Sequence, residues 1–193
     1  MKKCTLILIA LLLLLGSCAP FGKKGQGHQA ITANKVHLLN GSYAIKGLKS
    51  EGVPLNSYYA NEHFYRNFKR DASMMDTLKW DSVGLAYFTL NIIDQQTLSV
   101  SFYKGREEIR TQTLRYKLKD GDGFIYLKHK NVHIKGLPHI AGSIDIKKVR
   151  IGLNADNNLM INDTYYRTWV FMVLFGASSR GAFLLEYPRI SQQ

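Results

Sequence analysis

From Leu38 onward apolar and polar residues alternate in segment after segment, so the chain can bury one face of a sheet and little else. Ser42 to Gly47, Val83 to Ile93, Thr97 to Lys104, Glu108 to Lys119, Gly123 to Lys130, Ile144 to Leu153 and Asn158 to Asp163 read as strands. Thr168 to Phe175 and Gly181 to Tyr187 follow, flanking Gly176 to Gly181, which reads as a hairpin loop. The connections carry turn residues: Asp94-Gln95-Gln96, Lys104-Gly105-Arg106, Asp120 to Gly123 and Asn154 to Asn157. Eight or nine strands on short turns predict an all-β, mainly antiparallel meander. Because an open meander leaves two sticky edges, either a closed barrel or a strongly curled sheet is expected.

The faces follow from the spacing. Leu114, Tyr116 and Leu118 share one side of their strand, with Thr113, Arg115, Lys117 and Lys119 on the other. Leu98, Val100 and Phe102 likewise oppose Ser99 and Ser101. The phase slips across Lys147-Lys148, from Ile144 and Ile146 to Val149, Ile151 and Leu153, and one extra residue there predicts a β-bulge. Residues 54 to 80 break the alternation. Ser57 followed by Tyr58, Glu62, Tyr65 and Phe68, with Arg66, Lys69 and Arg70 towards the end, predicts one short helix.

The N-terminus is of another kind. Lys2 and Lys3 precede an apolar run from Thr5 to Leu15, whose eleven residues make a helix of about 16 Å, half of a bilayer's hydrocarbon core of about 30 Å. It reads as a signal peptide. Leu15-Gly16-Ser17-Cys18 resembles the lipobox of bacterial lipoproteins, which implies cleavage before Cys18 and acylation of its thiol and new amino group. Several acyl chains anchor a protein stably where one does not. The expected organisation is a signal peptide at 1–17, a flexible lipidated tether at 18–36 and an antiparallel β domain at 37–193. Ala19 and the stretch Pro20 to Gly27 lack both the Asp that marks inner-membrane retention and the acidic stretch that marks surface export in Bacteroidetes. That resembles an outer-membrane lipoprotein facing the periplasm. With Cys4 removed, Cys18 is the last cysteine, so no disulfide and no Cys-x-x-Cys metal site is expected.

Charge supplies the clue to partners. Without Lys2 and Lys3 the chain keeps 24 basic and 14 acidic residues, a net +10, and residues 101 to 150 alone hold 12 basic against 5 acidic. Arg115, Lys117, Lys119, Lys128 and Lys130 are expected to form a basic wall that suits anionic glycolipid, lipid headgroups or a protein partner. Nucleic acid is not an expected partner in the envelope. His129, His133 and His139 lie close in sequence, but nearby lysines oppose a dication and no metal site is expected. Gly176-Ala177-Ser178-Ser179-Arg180-Gly181 is not Gly-x-Ser-x-Gly, and no phosphate loop or His-Glu-x-x-His occurs, so no enzyme is expected and no cofactor beyond the acyl groups.

Leu39-Asn40-Gly41-Ser42-Tyr43 resembles the opening of lipocalin-type barrels, where Gly-x-Trp leads the first strand, with Tyr43 in the tryptophan's place. The mature chain is similar to a set of Bacteroidetes lipoproteins with no assigned activity. They share a lipobox, a Leu-Asn-Gly-x-Tyr opening, a basic hairpin like 113–130 and an Arg-Ile-Gly-Leu…Asn-Leu-x-Ile passage like 150–161. Asp76-Thr77-Leu78 and Asp81-Ser82-Val83 match Bacteroidetes O-glycosylation sites at Thr77 and Ser82. The leading expectation is a non-enzymatic envelope lipoprotein, a lipocalin-like antiparallel barrel that binds or chaperones an apolar or amphiphilic ligand in an aromatic-lined cavity. Its alternative is an adaptor that docks through the basic wall.

Overall fold

The structure, a computed structural model, describes Phe21, Gly25 and residues 27–45, 49–51, 87–119, 121–128, 132–137, 141–171 and 175–190. The signal peptide, Cys18, the segment expected to be helical (54–80), Thr77, Ser82, His129, Lys130 and His139 lie outside them. The strands are β1 (His28–Gln29), β2 (Gly41–Ala44), β3 (Lys49–Glu51), β4 (Tyr87–Ile92), β5 (Thr97–Lys104), β6 (Glu107–Leu118), β7 (Ile125–Lys128), β8 (Val132–Leu137), β9 (Ala141–Asn154), β10 (Leu159–Phe171), β11 (Phe175–Tyr187) and β12 (Arg189–Ile190). One 3-10 helix, Ala33–Leu39, precedes β2. Every strand pairing is antiparallel, and the path runs β12-β2-β4-β5-β6-β7-β9-β10-β11-β3, with β1 and β8 added on β9.

The meander follows from turns that the sequence can make cheaply. Gly105 takes φ 61° between β5 and β6. Between β9 and β10, Asn157 takes φ 62°, and the Asn154 side chain accepts the N–H groups of Asp156 at 3.0 Å and Asn158 at 2.9 Å. Alternation then fills the concave face with Phe88, Leu90, Leu98, Val100, Phe102, Leu114, Tyr116, Ile125, Leu127, Val149, Ile151, Leu153, Leu159, Ile161, Leu185 and Tyr187, all at most 5% exposed. Burying each of these side chains stabilises by about 2 kcal/mol before entropy is counted.

The path is open, and the sheet does not close into a barrel. Among the described residues its two ends meet at two short seams, Arg189 and Ile190 against Tyr43 and Ser42, and Leu184 to Glu186 against Glu51 to Lys49. Pro188 falls between them; it has no N–H to give a ladder, although its carbonyl accepts from Ala44 N–H at 3.0 Å.

The Leu-Asn-Gly-Ser-Tyr segment organises this seam, and Arg189 is its clasp. Leu39 and Tyr43 are fully buried, and Asn40 Oδ1 accepts Ile92 N–H at 2.7 Å, tying the segment to β4. Arg189 donates from Nη2 to Leu38 O at 2.5 Å and Tyr43 Oη at 2.7 Å, from Nη1 to Asn40 O at 3.2 Å and from Nε to Asn157 O at 3.2 Å. Tyr43 Oη in turn donates to Leu39 O at 2.9 Å. Gly41, at φ 156°, is a glycine because a Cβ there would sit 3.2 Å from Arg189 Nη1.

Two expectations are corrected. No bulge occurs at Lys147-Lys148: β9 pairs with β10 in one unbroken register from Ala141↔Phe171 to Leu153↔Leu159, and Lys147 turns inward. The register shift lies instead between Phe102 and Tyr103, where β5 meets β6. Gly176 to Gly181 is not a hairpin loop but part of β11, paired residue for residue with β10 from Val170 to Tyr165. The ladder to β10 overrides the weak strand preference of Gly and Ser.

Part of the segment read as a tether belongs to the folded body. It adds His28–Gln29 to β9, places the Phe21 ring edge-on to Tyr126 with centroids 5.4 Å apart, stacks His28 on Phe124 at 3.9 Å, and buries Ile31 in the hydrophobic core. Gly152 provides the room, since a Cβ there would lie 2.8 Å from the Phe124 ring and 3.0 Å from His28 Cε1. Among the described residues no helix is long and apolar enough to cross a membrane.

Candidate functional site

The inward positions of β9 and β10 change character along the strands. Val149, Ile151 and Leu153 give way to Lys147 and Asp145, while Leu159 and Ile161 give way to Asp163, Tyr165 and Arg167. Period two therefore places two acids and two bases on one inner face. Lys147 Nζ stands 3.5 Å from Asp163 Oδ2, and Arg167 Nε donates to Asp145 Oδ1 at 2.5 Å. Lys147, Asp163 and Asp145 are at most 6% exposed. Burial pushes the Asp163 carboxyl above the ordinary carboxylate range, with the Lys147 ammonium and its hydrogen bond restraining the rise. Tyr187 is driven well above the usual phenol range by burial, and the Asp163 charge adds to it. Asp163 Oδ1 and Arg167 Nη2 are buried without a hydrogen-bond partner.

The raised Asp163 carboxyl links stability to pH. The folded protein keeps a proton that the unfolded chain releases, so this group's contribution to stability is complete below the ordinary carboxylate pKa and is lost as pH rises through the folded-state value. Urea midpoints of the native chain and of Asp163→Asn, measured across this window, are expected to diverge in slope. Identical slopes would remove Asp163 as their source.

Beyond the ion pairs the same face opens. Lys135, Gly136, Ala141, Gly142, Ser143, Trp169 and Phe171 line a groove of about 380 Å³ between β8, β9 and β10. Trp169 and Phe171 are 48% and 42% exposed, a large apolar display for residues of this kind. Arg167 is two residues from Trp169, and so on the same face of β10. Gly136 lets β8 lie close here, since a Cβ would stand 2.2 Å from Ala141 O. The arrangement offers an apolar shelf, the Lys135 cation and an incompletely satisfied guanidinium, a set suited to a molecule with an apolar body and an anionic head.

Of the residues predicted for a basic wall, the four that are described lie on the other side of the sheet, and Lys130 lies outside the described residues. Arg115, Lys117, Lys119 and Lys128 are all exposed, and Arg115 lies directly opposite Lys128 in the β6–β7 ladder. His133 falls on β8, and among the described residues no group of three or more His, Cys, Asp or Glu could hold a metal ion. The ion-pair lattice was missed because Ile144 and Ile146 suggested the wrong phase. Counting back by twos from Leu153 would have shown Lys147 and Asp145 facing inward, and counting forward from Leu159 would have shown Asp163 and Arg167. Comparison with family models, with curated proteins and with solved structures finds no match.

Proposed function

We propose that the chain is a lipid-anchored cell-envelope lipoprotein, attached through Cys18, facing the periplasm and without catalytic activity. It binds an amphiphilic ligand with an anionic head in the groove between β8, β9 and β10. The observation that carries this reading is the side-by-side placement of exposed Trp169 and Phe171 with the half-buried Arg167, whose buried Nη2 has no hydrogen-bond partner. The apolar part of the ligand lies along the two rings, and its head meets Lys135 and Arg167. The curled antiparallel meander, with a 3-10 helix ahead of Gly41-Ser42-Tyr43, supports reading the fold as an open variant of the lipocalin type.

Two experiments test the reading. Metabolic labelling with palmitate is expected to mark the native chain and not Cys18→Ser; labelling of both would sink the anchor. Dodecyl phosphate titrated into the soluble Cys18→Ser chain is expected to shift the fluorescence of Trp169 in a Trp80→Phe background. Phe171→Ala or Lys135→Gln is expected to weaken binding about tenfold, equivalent to about 1.4 kcal/mol. Affinity unchanged by both substitutions would refute the groove.

A further inference from the structure

We infer that the convex face of β6 and β7 is the surface that rests on the bilayer, held there by the N-terminal segment, and that its partner is the layer of anionic headgroups around the acyl anchor. The inference rests on Cys18 being that anchor, and goes beyond it by assigning the orientation of the domain.

Three observations converge on this face. Alternation along β6 turns Leu114 and Tyr116 inward and Arg115, Lys117 and Lys119 outward, and the ladder sets Lys128 opposite Arg115 and Tyr126 opposite Lys117. The carboxylates nearby are largely engaged by other groups. Asp122 accepts from Tyr126 Oη and stands 3.5 Å from Arg150 Nη1, and Glu108 accepts from Thr111 and Tyr103 further along β6. Asp94 accepts Gln96 N–H at 2.7 Å and is the acid that feels the charge of Arg115. The face therefore keeps a positive excess among the described residues.

The second observation is where the chain arrives. Phe21 is seated on this region, with its ring 5.4 Å from that of Tyr126 and 4.6 Å from the Arg150 guanidinium, which also lies 4.3 Å over Phe124. Tyr126 is at the same time 5.4 Å beneath Lys119 Nζ. The third is a matter of length. Phe21 comes three positions after Cys18, and fully extended those three steps span at most about 10 Å. A free tether of the same composition from 19 to 36 would reach roughly 20 to 25 Å. Docking of Phe21 thus brings the four cations to within about one Debye length of the headgroups, where each strengthens attachment about fivefold.

The test uses the mature chain from residue 18 and separates this inference from the anchor itself. With Cys18→Ser, the unacylated chain is expected to co-sediment with vesicles of 30% phosphatidylglycerol in phosphatidylcholine and not with phosphatidylcholine alone, and to be released by high salt. Arg115→Glu, Lys117→Glu and Lys119→Glu together are expected to weaken this about a hundredfold, whereas Lys104→Glu with Arg106→Glu at the β5–β6 turn leaves it unchanged. Equal loss from both sets would mean that net charge and not this face binds, and no loss from the first set would overturn the inference. In a second arm, Cys18 is coupled to a maleimide lipid, so that the outcome does not depend on cellular acylation. Amide exchange at residues 113–119 is expected to slow on anionic vesicles and to recover in Phe21→Ala. Protection that is indifferent to Phe21 would overturn the role of the docked segment, and failure of palmitate labelling in cells would count against the anchor alone.

Discussion

Arg189→Ala is expected to be among the most damaging single substitutions in the chain, lowering stability by about 3 to 5 kcal/mol and the melting temperature by about 10 °C. Its guanidinium donates to Leu38 O, Asn40 O, Asn157 O and Tyr43 Oη, and so joins the 3-10 helix, the start of β2 and the β9–β10 turn to the last strand. Its carbon centre lies 5.2 Å over the Tyr43 ring, whose phenol burial pushes up to about 12 while the Arg189 charge holds it down. With the guanidinium gone, one buried hydroxyl and several carbonyls lose a donor at once, and the two-residue ladder of β12 on β2 has little else to keep it. Arg189→Lys is expected to restore under half of the loss, because an ammonium cannot present a planar fork to acceptors on three segments. Urea denaturation of the three proteins checks this. A loss below about 1 kcal/mol for Arg189→Ala would show that the seam holds without its clasp.

Lys147→Met is expected to cost about 3 to 5 kcal/mol for a different reason. It leaves the Asp163 carboxylate in a site that is 2% exposed, with Oδ1 already unpartnered and its ion partner removed. The damage comes from a buried carboxyl that must either stay charged without its cation or take up a proton, more than from the lost attraction. The double variant Lys147→Met with Asp163→Leu is therefore expected to recover most of the stability, and a double-mutant cycle on denaturation midpoints measures the coupling. Additive losses would mean that the two side chains do not share a site.

How much of this was legible in the sequence depends on which residues carried the signal. Where inward positions are apolar and outward positions polar, as in Leu98, Val100 and Phe102 or in Leu114 and Tyr116, strand, face and neighbour follow from alternation alone. The basic face followed from the same rule, since Arg115, Lys117 and Lys119 are the outward set of a strand whose inward set is unambiguous. Alternation misled at Ile144 and Ile146, because charge went inside and isoleucine outside; Ile144 is 37% exposed. That inversion is affordable only because the acids and bases of β9 and β10 meet each other, a fact of pairing that no single segment contains. The residues Ala177, Ser178 and Ser179 looked like a loop for a similar reason, since their strand conformation is imposed by β10. The seating of Phe21 and His28 and the reach of Arg189 depend on partners more than ninety residues away, as His28 to Asp122 and Arg189 to Leu38 show.

The distances along the chain across the seam set the order in which the molecule can assemble. Tyr43 and Arg189 are separated by 146 positions and Leu38 and Arg189 by 151, so nearly the whole polypeptide must have emerged before its first and last strands can join. Until then β2 offers an unpaired edge, and closing so long a loop is slow. Refolding yield that falls steeply with protein concentration, and that recovers when the seam is joined in advance, is the kinetic signature this topology imposes.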